Sequence, residues 1–174
     1  MTFAFDLKGS RGGVIAALAM TIAVFLTVFL VFASAQNTQR IPLPASQNPS
    51  NRDLPISAAV WAGNTLYVSG WLDPDRKTHT DTASQTVGIL KDIQKLLESQ
   101  KLTLGDVAMI RVYLGGDPVK SGKMDFDGMM AGYSQFFGTK GQPSKPARTT
   151  VQVVLPAAES GALVEIDIIA ARSK

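Results

Sequence analysis

The stretch that decides the fold is PARTTVQVVLPAAESGALVEIDIIA, residues 146–170. In its second half Val164, Ile166, Ile168 and Ala170 alternate with Glu165 and Asp167, the period of two of a strand with one buried face. In its first half Val151, Val153 and Leu155 alternate with Arg148, Thr150 and Gln152. Residues 156–161 (PAAESG) are short enough for an antiparallel return. If both aliphatic rows cover the same helices, parity of register follows, because a slip of one residue would bury the carboxylates. Arg148, Thr150, Gln152, Glu165 and Asp167 are then expected on the sheet face that helices leave open. The six-residue return puts Glu165 across from Gln152, roughly 13 Å along the strand from Arg148 at ~3.3 Å per residue.

Working outward, Ser57–Trp61 and Thr65–Ser69 flank Ala62-Gly63-Asn64 and read as a hairpin. Residues 70–79 read as loop. Thr82-Ala83-Ser84-Gln85 has capping-box form, and Ala83, Val87, Leu90, Ile93 and Leu97 recur at helical spacing, predicting a helix to about Gln100. Val107–Leu114 reads as a strand. Asp125–Phe137 reads as a second helix with Phe126, Met129, Met130, Tyr133 and Phe137 on one side. Tyr133, Phe136 and Phe137 are expected in the core, and His79 in an exposed loop. The class is α+β: one sheet backed by two helices.

Hydropathy divides the chain unevenly. Val14–Phe32 is uncharged over nineteen residues, follows Lys8 and Arg11, and precedes Ala33-Ser34-Ala35. These are the parts of a secretory signal cut before Gln36. At ~1.5 Å per residue the same run would also just span a ~30 Å hydrocarbon layer, so a single-span membrane anchor through residues 14–32 stays open beside cleavage. Either way the positive-inside bias puts the remainder across the membrane, in the periplasm or another extracytoplasmic space. Residues 36–53, with three prolines and no periodicity, read as a linker, so the folded domain is expected to run over residues 54–174.

Composition excludes several chemistries. The chain of 174 residues is 45% hydrophobic and has no cysteine, which removes disulfides, thiol catalysis and Cys-ligated zinc. Its one histidine, His79, cannot make a multi-His metal site. Net charge is +3, and loss of Lys8, Arg11 and Asp6 with residues 1–35 would leave 15 basic against 13 acidic residues. No basic stripe with interleaved aromatics marks a nucleic-acid partner.

The ordered set Leu54–Val60, Gly63–Gly70, Gln85, Tyr133–Phe137, Pro146–Thr150 and Val164–Asp167 resembles the Rid (YjgF-type) proteins, the reactive intermediate deaminases. Their pattern runs in order from about Leu54 to Ala170, and Pro-Ala-Arg-Thr followed by a Val-Glu-Ile strand is its sharpest part. The resemblance implies a chorismate-mutase-like α+β domain and a homotrimer whose sheets form an inner barrel, with pockets between subunits. It implies hydrolysis of small carboxylate-bearing enamines or imines, of the 2-aminoacrylate type, to 2-oxo acids and ammonia, without metal or organic cofactor.

On that resemblance Arg148 matches the arginine that binds the substrate carboxylate, a task suited to a planar guanidinium with two parallel donors. Glu165 matches the acidic residue near the site, orienting water or, if desolvated, donating a proton. Thr150, where many members have cysteine, and Ser69 are candidate substrate donors. Ile56, Trp71 and Met130 stand where deaminating members often carry tyrosine, glutamine and asparagine, which suggests a different or larger substrate, or none. Trp71 is expected at an interface or pocket rim. Two functional classes follow: an exported imine or enamine deaminase, and a non-catalytic trimeric ligand-binding or holdase-like module of the same fold. A ribonuclease reading finds no support in the charge pattern.

Overall fold

The computed structural model describes residues 38–48, 52–156 and 161–172, and the leader expected at residues 1–35 lies outside them. Six strands form one mixed sheet: β1 (Gln39–Ile41), β2 (Ala59–Ala62), β3 (Thr65–Leu72), β4 (Val107–Leu114), β5 (Ala147–Gln152) and β6 (Val164–Ala171). Their order is β1-β2-β3-β6-β4-β5, antiparallel throughout except for β4 and β5. Two helices, α1 (Thr82–Ser99) and α2 (Phe126–Tyr133), provide the crossovers.

Chain direction explains this order. α1 joins β3 to β4, which run parallel with β6 inserted between them, and α2 joins β4 to its parallel neighbour β5. Parallel strands need a crossover of about a dozen residues or more, which the connection containing each helix supplies. β6 keeps its alternate residues Val164, Ile166, Ile168 and Ala170 almost wholly buried, which suits a central place. Its Val164, Ile166, Ile168 and Ala170 lie against Leu114, Val112, Ile110 and Val107 on one side, and Ile166, Ile168 and Ala170 against Trp71, Val68 and Leu66 on the other. These residues form the buried core beneath the helices, with Ile89, Leu90, Ile93 and Leu97 of α1 above them.

Five expectations change. First, β5 and β6 are not neighbours: β4 separates them, and Glu165 lies opposite Tyr113 and Leu72, not Gln152. Second, the parity of β5 is inverted. Arg148, Thr150 and Gln152 pair with Ile110, Val112 and Leu114, so they lie on the helix side of the sheet. Glu165 and Asp167 do occupy the open side, as does Val151, which is 41% exposed. The alternation of an edge strand says only that its two faces differ. On β5 the helix side overhangs α2 at the sheet margin, and the half-polar row is the one tucked there.

Third, part of the expected linker is structured: over residues 38–48 the strand β1 pairs with β2, and Ile41 and Leu43 pack on the core. Fourth, β3 runs on to Leu72 through a bulge between Val68 and Trp71, so residues 70–72 are strand rather than loop. Fifth, α2 closes at Tyr133, and Phe126, expected on its buried side, is 40% exposed.

Local chemistry fixes the helix ends. Asp81, not Thr82, caps α1 by accepting from Ser84 N at 2.9 Å. Gln85 is instead wholly buried. Its Nε2 donates to His79 O (2.9 Å) and Gly161 O (2.8 Å), and its Oε1 accepts from Leu163 N (2.8 Å). One amide therefore ties the loop before α1 to the start of β6. His79 is not a free loop residue, since its Nδ1 lies 2.6 Å from the buried carboxylate of Asp73.

Candidate functional site

Arg148 sits on edge strand β5 with its side chain under α2. Its guanidinium carbon is 4.7 Å from the Tyr133 ring centroid and 5.7 Å from that of Phe126, and Nη1 lies 3.0 Å from Met130 Sδ. Asp125 caps α2 through Gly128 N at 3.1 Å, which holds Phe126 on the first turn. None of the three neighbours supplies a full counter-charge. Aromatic faces attract a cation by about 0.5–2 kcal/mol, and a thioether is a weak acceptor. Burial pushes the Tyr133 phenol above its ordinary pKa, against the opposing pull of Arg148, so near pH 7 it is neutral.

A strand arginine is often structural, paired with an acid of the same sheet, but the carboxylate of Asp167 is taken by other residues. Asp167 accepts from Arg111 Nε (2.7 Å) and from Tyr113 Oη (3.0 Å) on the open face. Arg148 makes no ion pair among the described residues. Two positions along the same face, Thr150 Oγ1 is buried with no hydrogen-bond partner among the described residues. A half-buried guanidinium without an acid and a buried hydroxyl without a partner are each costly alone.

Glu165 stands apart from this cluster. It lies on the other face, two strands away at ~4.8 Å each and three residues along at ~3.3 Å, about 14 Å between backbones. Its carboxylate rests against Gly70, where any Cβ would overlap it. Ser69 belongs to that second locality and donates to Ser57 O at 2.7 Å. Ile56, 58% exposed, precedes β2 nearby in sequence. Trp71 is in neither group. It is 3% exposed on the core side and, with Leu96 and Ser99 of α1 and Ile41, Pro42 and Pro44, lines a cavity of about 310 Å³. It therefore packs on the core at the wall of that cavity, on the helix side of the sheet.

The structure thus unites Arg148, Thr150 and Met130, and separates them from Glu165, Ser69, Ile56 and Trp71. The outer edge of β5 has no strand partner among the described residues. Tyr67 and Val151 are 49% and 41% exposed on the open face.

The endoribonuclease L-PSP family profile matches residues 50–172, nearly the whole described domain. The chain belongs to this family, the YjgF/Rid proteins. It is 36% identical over 121 residues to a RutC family protein of Pyrococcus horikoshii, covering 67% of this chain and 86% of that one. It is 37% identical over 124 residues to a RutC family protein of Saccharolobus solfataricus, covering 68% and 88%. Among solved structures, a protein of unknown function of the conserved Rid family from Yersinia pestis is 28% identical. Its TM-score is 0.60, over 78% of this chain and 100% of its own. A protein of unknown function from Pseudomonas aeruginosa is 26% identical, with a TM-score of 0.64 over 79% and 94%.

Within a Rid domain, the sequence pattern singled out Arg148, Thr150 and Met130 together and put Tyr133 in the core, where it lies, but did not show that the Phe126 and Tyr133 rings flank the guanidinium. Both read as core because they share the apolar stripe of α2. A usable signal existed for Phe126: it follows the capping aspartate directly, and first-turn side chains of an amphipathic helix often overhang the sheet margin.

Proposed function

We propose that this protein is an exported Rid-type deaminase that hydrolyses small carboxylate-bearing imines and enamines to 2-oxo acids and ammonia. The observation that carries the reading is the half-buried guanidinium of Arg148, flanked by Phe126, Tyr133 and Met130 and without an acid among the described residues. Two of its donors grip the substrate carboxylate, and Thr150 Oγ1 bonds the substrate beside it. The oxygen of water then bonds to the imine carbon, the carbon–nitrogen bond breaks, and nitrogen leaves as ammonia with protons from water. Glu165 orients that water and passes a proton to the departing amine.

Because Arg148 and Glu165 are about 14 Å apart on opposite faces of one sheet, the working site takes Arg148 from one copy and Glu165 from another. A homotrimer with its open sheet faces turned inward does this. It also covers Tyr67 and Val151 and the unpaired edge of β5. Residues 1–35 carry the domain out of the cytoplasm, as a cleaved signal or a retained anchor.

The test generates 2-aminoacrylate in situ and follows ammonia release. Acceleration by the wild-type chain that is lost in Arg148→Ala supports the enzyme. Equal rates with and without protein refute it. The same separation of Arg148 from Glu165 favours one other reading, a binding module that retains the anion site without turnover. That module would bind a 2-oxo acid through Arg148 in the same preparation while leaving the ammonia rate unchanged.

A further inference from the structure

Resting on the anion-site reading of Arg148, we infer that the preferred substrates are 2-imino acids with a bulky apolar side chain, aromatic or branched aliphatic, rather than the smallest member of the class, and that Phe126 and Met130 set this preference. A carboxylate held on the guanidinium places the next carbon of the substrate one bond away and its side chain two bonds away. Atoms at that range reach the groups already packed around Arg148: the Phe126 ring at 5.7 Å, the Tyr133 ring at 4.7 Å and Met130 Sδ at 3.0 Å.

Two of these walls, Phe126 and Met130, are apolar, and Tyr133 turns its ring face to the guanidinium. Phe126 is 40% exposed, so it offers aromatic surface that is wet until a ligand covers it, and covering such surface is favourable in proportion to its area. Met130 has no directed hydrogen-bonding group to hold an imine nitrogen. Its unbranched, polarisable chain does let it adapt to side chains of different shape. Among the described residues, the one fully buried polar side-chain atom without a partner in the neighbourhood is Thr150 Oγ1. It is a single hydroxyl suited to the carboxylate or the adjacent imine, not to a polar substrate side chain. A ligand with a methylene or methyl terminus leaves the Phe126 face in water, whereas a phenyl or isobutyl group buries it.

The experiment measures binding of three stable 2-oxo acid products to the full chain in mild detergent by isothermal titration: pyruvate, 4-methyl-2-oxopentanoate and phenylpyruvate. The expected order places both larger acids at least about tenfold tighter than pyruvate, the lower end of what added apolar groups contribute in a hydrophobic site. Phe126→Ala and Met130→Asn should each shrink that gap to under about threefold. The exposed position of Phe126 makes its variant a safe folding control, checked by an unchanged unfolding midpoint. A flat series in the wild type, or a gap that survives both substitutions, overturns the inference while leaving the anion site intact, provided Arg148→Met abolishes binding of all three. If Arg148→Met leaves binding of all three unchanged, the anion-site reading itself fails and the preference falls with it.

Discussion

Two arginines on adjacent strands of this sheet should respond in opposite ways to the loss of their charge. Arg111 donates to Asp167 at 2.7 Å, and Asp167 is only 9% exposed. Its pKa is raised by that bond, so it is held as a cation. Arg111→Met keeps most of the aliphatic stem but leaves a buried carboxylate with Tyr113 Oη as its one remaining partner from this pair. Removing one member of a buried pair costs 3–5 kcal/mol. Because the Arg111 side chain is 43% exposed, we discount this to about 2 kcal/mol. Arg148→Met removes a cation with no acid partner among the described residues. It loses the cation–π contacts with Tyr133 and Phe126, together about 1 kcal/mol, and regains part of this as apolar packing against Tyr133, Phe126 and Met130. The expected net change is about 0.5 kcal/mol or less.

Urea unfolding at pH 7 and one fixed protein concentration reads both changes. Trp61 and Trp71 serve as fluorescent reporters because both are buried in the domain. For a domain of this size the difference corresponds to a midpoint about 5 °C or more lower in Arg111→Met on heating. Loss of 2-oxo acid binding should follow the reverse pattern, present in Arg148→Met and absent in Arg111→Met. If Arg148→Met destabilises the domain as much as Arg111→Met does, Arg148 is held by a structural partner, and its reading as an open anion site is refuted.

Gly70→Ala introduces a methyl group into the space of the Glu165 carboxylate. Ammonia release should fall at least tenfold with carboxylate binding retained, and full activity in this variant would remove Glu165 from the mechanism. Asp81 has its pKa lowered, first by the Ser84 N–H it accepts and then by the Ser84 hydroxyl. A depressed carboxylate contributes stability that is complete above its ordinary value of 3.8 and is lost as pH falls through the lower folded value. Asp81→Ala should therefore cost about 0.5–1 kcal/mol at pH 7, the low end for an exposed cap, and nothing once pH is well below 3.8. A deficit that persists unchanged in acid would show that the cap acts through something other than its charge.

The elements of this domain were legible from its residues because local periodicity reports them. Val107–Leu114 is a strand to the residue, α1 ends within a residue of expectation, and the Gly63 turn has the positive φ of +60° that glycine allows. The family was legible too, in the ordered pieces from Leu54 to Asp167. Boundaries slipped where side chains serve neighbours far along the chain: Gln85 looked like half of a cap but stitches two distant backbones, and Trp71 looked like loop but lies on a bulged strand.

What one chain of letters determined by itself was five of the six described strands and the two helices, the alternation within those strands, and the guanidinium of Arg148 as the candidate to examine. Which strands touch, and which row of β5 faces the helices, only the tertiary structure decided. Alternation is a property of one strand, whereas a face is defined by what packs on it, and β4 came between β5 and β6 because α2 carries the chain back to a parallel edge. The same packing gave Asp167 to Arg111 and left Arg148 without an acid among the described residues.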